Sequence, residues 1–85
     1  MNHQPPRDHV IDVRGQICPS TLLVTLREMN RLKERLRAGE VRLVVHTDYR
    51  DATATVPGSA RAMGYDVAVE PDGASFRITI QAKRE

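Results

Sequence analysis

The chain has few of the residues on which several common kinds of functional site depend. Its 85 residues include one cysteine, no tryptophan, two tyrosines and one phenylalanine. A single cysteine excludes an intrachain disulfide and any zinc site that is built from several cysteines. The shortage of aromatic side chains argues against a surface on which nucleic-acid bases stack. His3, His9 and His46 are far apart in the sequence, so neither a metal site nor any other cofactor is expected.

Long apolar runs are also absent. No segment approaches the roughly 18 apolar residues of a membrane-spanning helix, and residues 1–8 lack the apolar stretch of a signal peptide. We therefore expect a flexible tail at 1–8 and a single domain at 9–85, in the cytoplasm, where a free thiol stays reduced. The net charge of +2 suits an acidic protein partner. Nucleic-acid binding is not expected, because no recognition motif accompanies the basic residues.

The hydrophobic pattern predicts four strands, at residues 9–14, 40–47, 66–70 and 75–82. The second is rich in valine and leucine, which favours a central position in the sheet. Asp72-Gly73 is a hairpin signal between the last two strands, and the alternation of the fourth predicts that Phe76, Ile78 and Ile80 point inward.

Two helices are predicted between the strands. The first runs from Pro19 to Gly39 on an apolar stripe of Leu22, Leu26, Met29, Leu32 and Leu36, widened by Leu23. The second is shorter: Thr55 caps it, Pro57 lies in its first turn, Gly64 ends it, and Ala60 and Met63 face the core. The order β-α-β-α-β-β predicts a two-layer α/β sandwich, with both helices on one face of a four-stranded mixed sheet.

Cys18 falls at the predicted junction between the first strand and the first helix. Free backbone N–H groups and the positive end of the helix dipole favour a thiolate there, and residues at such junctions face solvent where ligands bind. Most free cysteines are instead small buried hydrophobic residues. A monothiol redox protein is a further alternative, in which residues 18–21 (CPST) replace a C-x-x-C motif and residues 55–57 (TVP) form a proline loop. The helical pattern after Pro57 argues against it.

Several segments form an ordered set of motifs along the chain. They are residues 11–19 (IDVRGQICP), 39–40 (GE), Asp48, 56–58 (VPG) and 63–65 (MGY). The set spans about residues 10–83 and resembles the TusA-like (SirA-like) sulfur-carrier family. The resemblance implies the same sandwich fold. It also implies a sulfurtransferase that acts as a protein sulfur carrier, with persulfide or thiosulfonate sulfur on Cys18.

The resemblance also indicates partners, and the residues near Cys18 indicate which groups support the thiolate. Implied partners are a sulfur-donor protein, such as a cysteine desulfurase or rhodanese, and a downstream sulfur-acceptor protein. Residues expected to shape the thiolate are Pro19, Arg14 and Gly15, and Gly15 is expected to permit a close approach of the loop. The basic residues of the first helix are interpreted either as a solvated face, paired in part with Glu28 and Glu34, or as a functional surface. That surface would dock an acidic partner or steer an anionic sulfur species such as thiosulfate, and its candidate docking residues are Arg27, Arg31 and Arg50.

Some positions depart from the family pattern. Thr21 stands where the family has a second proline, and residues 48–50 (DYR) and Thr55 replace acidic or proline positions. These departures motivate a second hypothesis, a binding or regulatory module of the same fold that does not transfer sulfur.

Overall fold

A computed structural model describes residues 6–17 and 20–83 of the chain. Cys18 and Pro19, the predicted nucleophile and its neighbour, therefore lie outside the described residues. The elements, in chain order, are β1 (Arg7–Asp12), α1 (Ser20–Arg31), α2 (Lys33–Arg37), β2 (Val41–Thr47), α3 (Ala52–Ala62), β3 (Tyr65–Asp72) and β4 (Ser75–Ala82).

The strands form one mixed sheet in the order β1-β2-β4-β3. The β1–β2 pair is parallel, and β4 is antiparallel to both β2 and β3. The predicted two-layer fold and the central position of β2 are thus confirmed. The predicted hairpin is also present: Asp72 pairs with Ser75, and Gly73 between them has a φ of 63°.

The core lies between one face of the sheet and the helices. Leu43, Val45, Ile78 and Ile80 supply the sheet side and are fully buried, which confirms the inward direction predicted for Ile78 and Ile80. The opposite face is polar and carries ion pairs of Arg42 with Asp8 and of Arg77 with Glu70. Among residues 6–17 and 20–83, no helix is long and apolar enough to cross a membrane.

The first helix differs from its prediction in two respects. It is interrupted at Leu32, where φ is −98° and ψ is 11°, so α1 and α2 replace one continuous helix. Its buried stripe also begins with Thr21 and Thr25, which are 0% exposed, whereas Leu23 is 58% exposed. The position of the helix against the sheet and α3 sets this rotation, which a pattern of leucines alone does not specify.

The prediction for the second helix was wrong at its start. Helix α3 begins at Ala52, so Thr55 lies inside it, and the hydroxyl of Thr55 donates to the Asp51 carbonyl at 3.3 Å instead of capping the helix. Ala52, Val56 and Ala60 form its buried stripe at a spacing of four residues.

The positions of Met63 and Pro57 also differ from their predictions. Met63 follows α3 and is 43% exposed, so it does not face the core. Pro57 lies in mid-helix, and the chain continues from α3 into β3. The proline loop that a monothiol redox protein requires is therefore replaced by a helix, which overturns that alternative.

Candidate functional site

Three connections meet at one end of the sheet. Because β1 and β2 are parallel, the segment after β1 and the segment after β2 emerge side by side. The β3–β4 hairpin is at the same end, since Thr47 at the end of β2 pairs with Phe76 at the start of β4. The segment that contains Cys18 joins β1 to α1, so its two described ends, Ile17 and Ser20, belong to this group of connections.

The segment after β1 is tied to the neighbouring strand and loop. The Val13 amide donates to the His46 carbonyl at 2.8 Å, which extends the β1–β2 pairing by one residue beyond β1. The Gly15 amide then donates to Asp48 Oδ1, in the segment after β2, at 3.0 Å. These two bonds fix the direction in which the chain leaves the sheet.

Gly15 forms a left-handed turn after β1. Its φ is 84°, in the left-handed region that L-residues with a side chain avoid. A Cβ added there would meet no heavy atom of the described residues within 4 Å. The glycine therefore serves the conformation of the turn.

Arg14, in the turn after β1, is held by the carboxylate of the last residue of that strand. Its Nε and one terminal nitrogen donate to the two carboxylate oxygens of Asp12 at 2.9 and 2.7 Å. These bonds, and one from the Arg14 amide, lower the pKa of Asp12 to about 2, and the carboxylate in turn raises the pKa of Arg14. The positive charge of Arg14 is therefore paired with the Asp12 carboxylate. Its partner Asp12, two residues earlier, was not singled out from the sequence, although the two residues share a face of the strand predicted at 9–14.

The segment after Gly15 is closed by hydrogen bonds from the first turn of α1. The Thr21 hydroxyl donates to the Gln16 carbonyl at 3.2 Å, and the Thr21 amide donates to the Ile17 carbonyl at 3.4 Å. Gln16 in turn donates its amide to the Val13 carbonyl at 3.2 Å. Ile17 is 65% exposed, so the chain presents an apolar side chain to solvent directly before Cys18.

The three arginines of the predicted docking surface do not form one cluster of free cations. Arg31, the last residue of α1, is about 16 Å along the helix axis from Ser20 and binds Glu28 at 2.8 Å. Arg27 is exposed on α1, and Arg50 is exposed in the segment after β2, at the same end of the sheet as Ile17 and Ser20. Neither forms an ion pair within residues 6–17 and 20–83.

No group of histidine, aspartate or glutamate side chains in the described part of the chain could hold a metal ion. The described groups around the segment include backbone amides, the Thr21 hydroxyl, the Asp48 carboxylate and the Arg14–Asp12 ion pair.

Comparison with known proteins identifies the family. A family model described as "Sulfurtransferase TusA" matches residues 9–82. The chain belongs to the TusA family. A relative from Archaeoglobus fulgidus, described as "Putative sulfur carrier protein", is 30% identical over 66 residues, which cover 78% of this chain and 69% of that protein.

A solved structure agrees with the TusA assignment. The crystal structure of a SirA-like protein from Desulfitobacterium hafniense matches with a TM-score of 0.71 and 26% identity, covering 88% of this chain and 97% of that one. The TusA family and the archaeal relative support a sulfur-carrier role in general. A carrier of this kind works between a protein that donates sulfur and a protein that accepts it.

Proposed function

We propose that this TusA-family protein takes up sulfur on Cys18 and passes it, as a persulfide, to a partner protein. In the uptake step, the Cys18 thiolate attacks the terminal sulfur of a persulfide on the donor protein. The sulfur–sulfur bond of the donor breaks, its thiolate leaves, and a new sulfur–sulfur bond forms on Cys18. The acceptor reverses this exchange with a nucleophile of its own, so no external oxidant or reductant is needed.

The observation that supports the proposal most is the place of the segment 17–20 in the fold. It connects the end of β1 to the start of α1, beside the segment that follows β2. The first turn of a helix carries unpaired amides that favour a negatively charged group, and a thiolate is the nucleophilic form of cysteine. A thiol in this segment can therefore react, whereas a cysteine within the packed core would be inert.

Three residues are proposed to assist the thiolate. Pro19 precedes the first described residue of α1, where its missing N–H removes no helical hydrogen bond. Gly15 provides the left-handed turn after β1. Arg14 contributes positive charge, which Asp12 partly balances through their two side-chain hydrogen bonds.

The donor and acceptor are proposed to be proteins, with a cysteine desulfurase or rhodanese as the donor type. Arg50 is at the same end of the sheet as Ile17 and Ser20, so we propose that it contacts an acidic partner during transfer. Arg27 on α1 is exposed and is proposed to widen that contact. Arg31 is bound to Glu28 and lies far along the helix, so we assign it a smaller part in docking.

Intact-protein mass spectrometry tests the function directly. The reduced protein is incubated with a polysulfide, or with a cysteine desulfurase and cysteine. We expect a gain of about 32 Da, one sulfur atom, that thiol reductants reverse. Since the chain has one cysteine, Cys18→Ser is a complete control and should show no gain. A wild-type protein that stays unmodified with every donor would contradict the proposal and favour a binding or regulatory module. A thiosulfonate adduct would redirect it to thiosulfate chemistry.

A further inference from the structure

Two threonines on the buried stripe of α1 use their hydroxyls differently. Thr25 donates to the Thr21 carbonyl, four residues earlier, at 2.8 Å. This is the usual bond of a threonine inside a helix, and it leaves the rest of the fold untouched. Thr21 donates instead to the Gln16 carbonyl, five residues earlier, which lies before the helix begins. Both side chains are 0% exposed.

The Thr21 bond joins the two ends of the segment that contains the cysteine. Gln16 is fixed to the sheet side by its amide bond to the Val13 carbonyl, and Thr21 is fixed to the helix side by burial in the core. Between them are only Ile17, Cys18, Pro19 and Ser20. A short segment with joined ends has few conformations.

We propose that Thr21 is a positioning residue for Cys18, acting through its hydroxyl bond to the Gln16 carbonyl. The inference rests on the proposed function of Cys18 as the sulfur-carrying thiol. Thr21 does not touch the transferred sulfur; it holds the ends of the segment together, so that Cys18 stays near the amides that favour its thiolate form.

Burial makes the hydroxyl difficult to replace. Thr21 is fully buried, and its hydroxyl needs no water molecule as a partner because the Gln16 carbonyl already accepts its hydrogen bond. Valine has nearly the same shape as threonine but cannot donate. Thr21→Val would therefore preserve the packing of α1 and remove only the hydrogen bond from the hydroxyl to the Gln16 carbonyl. Serine keeps the donor and loses one methyl group.

The test compares Thr21→Val and Thr21→Ser with the wild type, and uses Thr25→Val as the matched control. Thr25→Val also removes a buried hydroxyl from α1, but one that bonds within the helix. Cys18 alkylation is measured against pH for each variant, together with thermal unfolding. Losing one hydrogen bond should slow alkylation at neutral pH by about 3- to 10-fold in Thr21→Val and move the midpoint of the pH profile upward. Thr21→Ser and Thr25→Val should keep the wild-type profile.

An unchanged alkylation profile in Thr21→Val would overturn the inference, as would an equal change in Thr25→Val. Thr21→Ala, which also lacks the donor, replaces the valine variant if that variant does not fold. Alkylation needs no sulfur donor, so it is separate from the proposed function. A wild-type protein that takes up no sulfur but shows the Thr21-dependent profile would refute the carrier role and leave the positioning role standing.

Discussion

A charged cluster between β1 and α1 leads to a quantitative prediction about stability at low pH. Glu28 on α1 accepts hydrogen bonds from Arg31 at 2.8 and 3.0 Å, and it bonds the ring of His9 on β1 at 2.8 Å. The His9–Glu28 bond connects the strand before the Cys18 segment to the helix after it. Chiefly through Arg31, and then through His9, these hydrogen bonds lower the pKa of Glu28 from 4.5 to about 2.

The sign of the effect follows from proton binding. As the pH falls below 4.5, the carboxyl group of the unfolded chain takes up a proton, while the folded protein keeps Glu28 charged until about pH 2. The unfolded state thus binds protons first, and the stabilisation present at neutral pH is lost between about pH 5 and 2.

The magnitude is limited by solvent. A pKa difference of this size corresponds to at most about 3.5 kcal/mol, at roughly 1.4 kcal/mol for each pKa unit. The Arg31 side chain is 60% exposed, so water and salt screen much of the interaction. We therefore expect Glu28→Gln to lower the free energy of unfolding at pH 7 by about 1 kcal/mol. In a domain of this size, that corresponds to a fall in Tm of about 4–8 °C.

Urea unfolding of wild type and Glu28→Gln at pH 7 and at pH 2.5 provides the assay. The stability difference between the two proteins should be largest at pH 7 and nearly vanish at the lower pH. Glu34→Gln is the control, because Glu34 is an exposed glutamate on α2 that forms no ion pair within residues 6–17 and 20–83. If Glu28→Gln is no less stable than Glu34→Gln at pH 7, or if its deficit is the same at both pH values, the reasoning is refuted.

Three smaller changes test other features of the chain. Gly58→Ala should raise the free energy of unfolding by about 0.5–1 kcal/mol, measured with urea, because Gly58 lies inside α3 and an added Cβ meets nothing within 4 Å. Gly15→Ala should lower it by about 1–2 kcal/mol in the same assay, because the φ of 84° is strained for alanine. Asp12→Asn should speed Cys18 alkylation about twofold, because it leaves the charge of Arg14 unbalanced.

Opposite results would contradict each of these predictions. A loss of stability in Gly58→Ala would mean that the added methyl group is not accommodated in α3. Unchanged stability in Gly15→Ala would mean that the turn relaxes without cost. Arg14→Gln should slow alkylation where Asp12→Asn speeds it, and a change in the same direction for both variants would remove Arg14 from the thiolate-assisting residues.

Local signals in the sequence were sufficient to predict the order of the secondary-structure elements and many of the buried residues. Alternation in residues 75–82 predicted the buried side of β4, and Asp72-Gly73 predicted the hairpin, because both depend only on neighbouring residues. The ordered set of motifs along the chain predicted the family, which the match over residues 9–82 confirms. The role of Cys18 itself stays a prediction.

The tertiary structure decided which side chains of these elements meet. Asp48 bonds the amide of Gly15, 33 residues away, because parallel pairing brings the ends of β1 and β2 together. Packing against the sheet and α3 rotates α1 so that Thr21 and Thr25 are buried while Leu23 is exposed. Helix α3 likewise begins at the buried Ala52, and Asp51 before it forms no side-chain capping hydrogen bond.

The sequence by itself thus determined that the chain is a sandwich of the TusA family with a cysteine between its first strand and first helix. Only the tertiary structure decided how that segment is held: the Thr21 hydroxyl reaches Gln16, and Arg14 is balanced by Asp12. The physical reason is that propensity and hydrophobic period act over a few neighbouring residues. Hydrogen bonds and ion pairs depend on which groups packing brings within about 3 Å of each other.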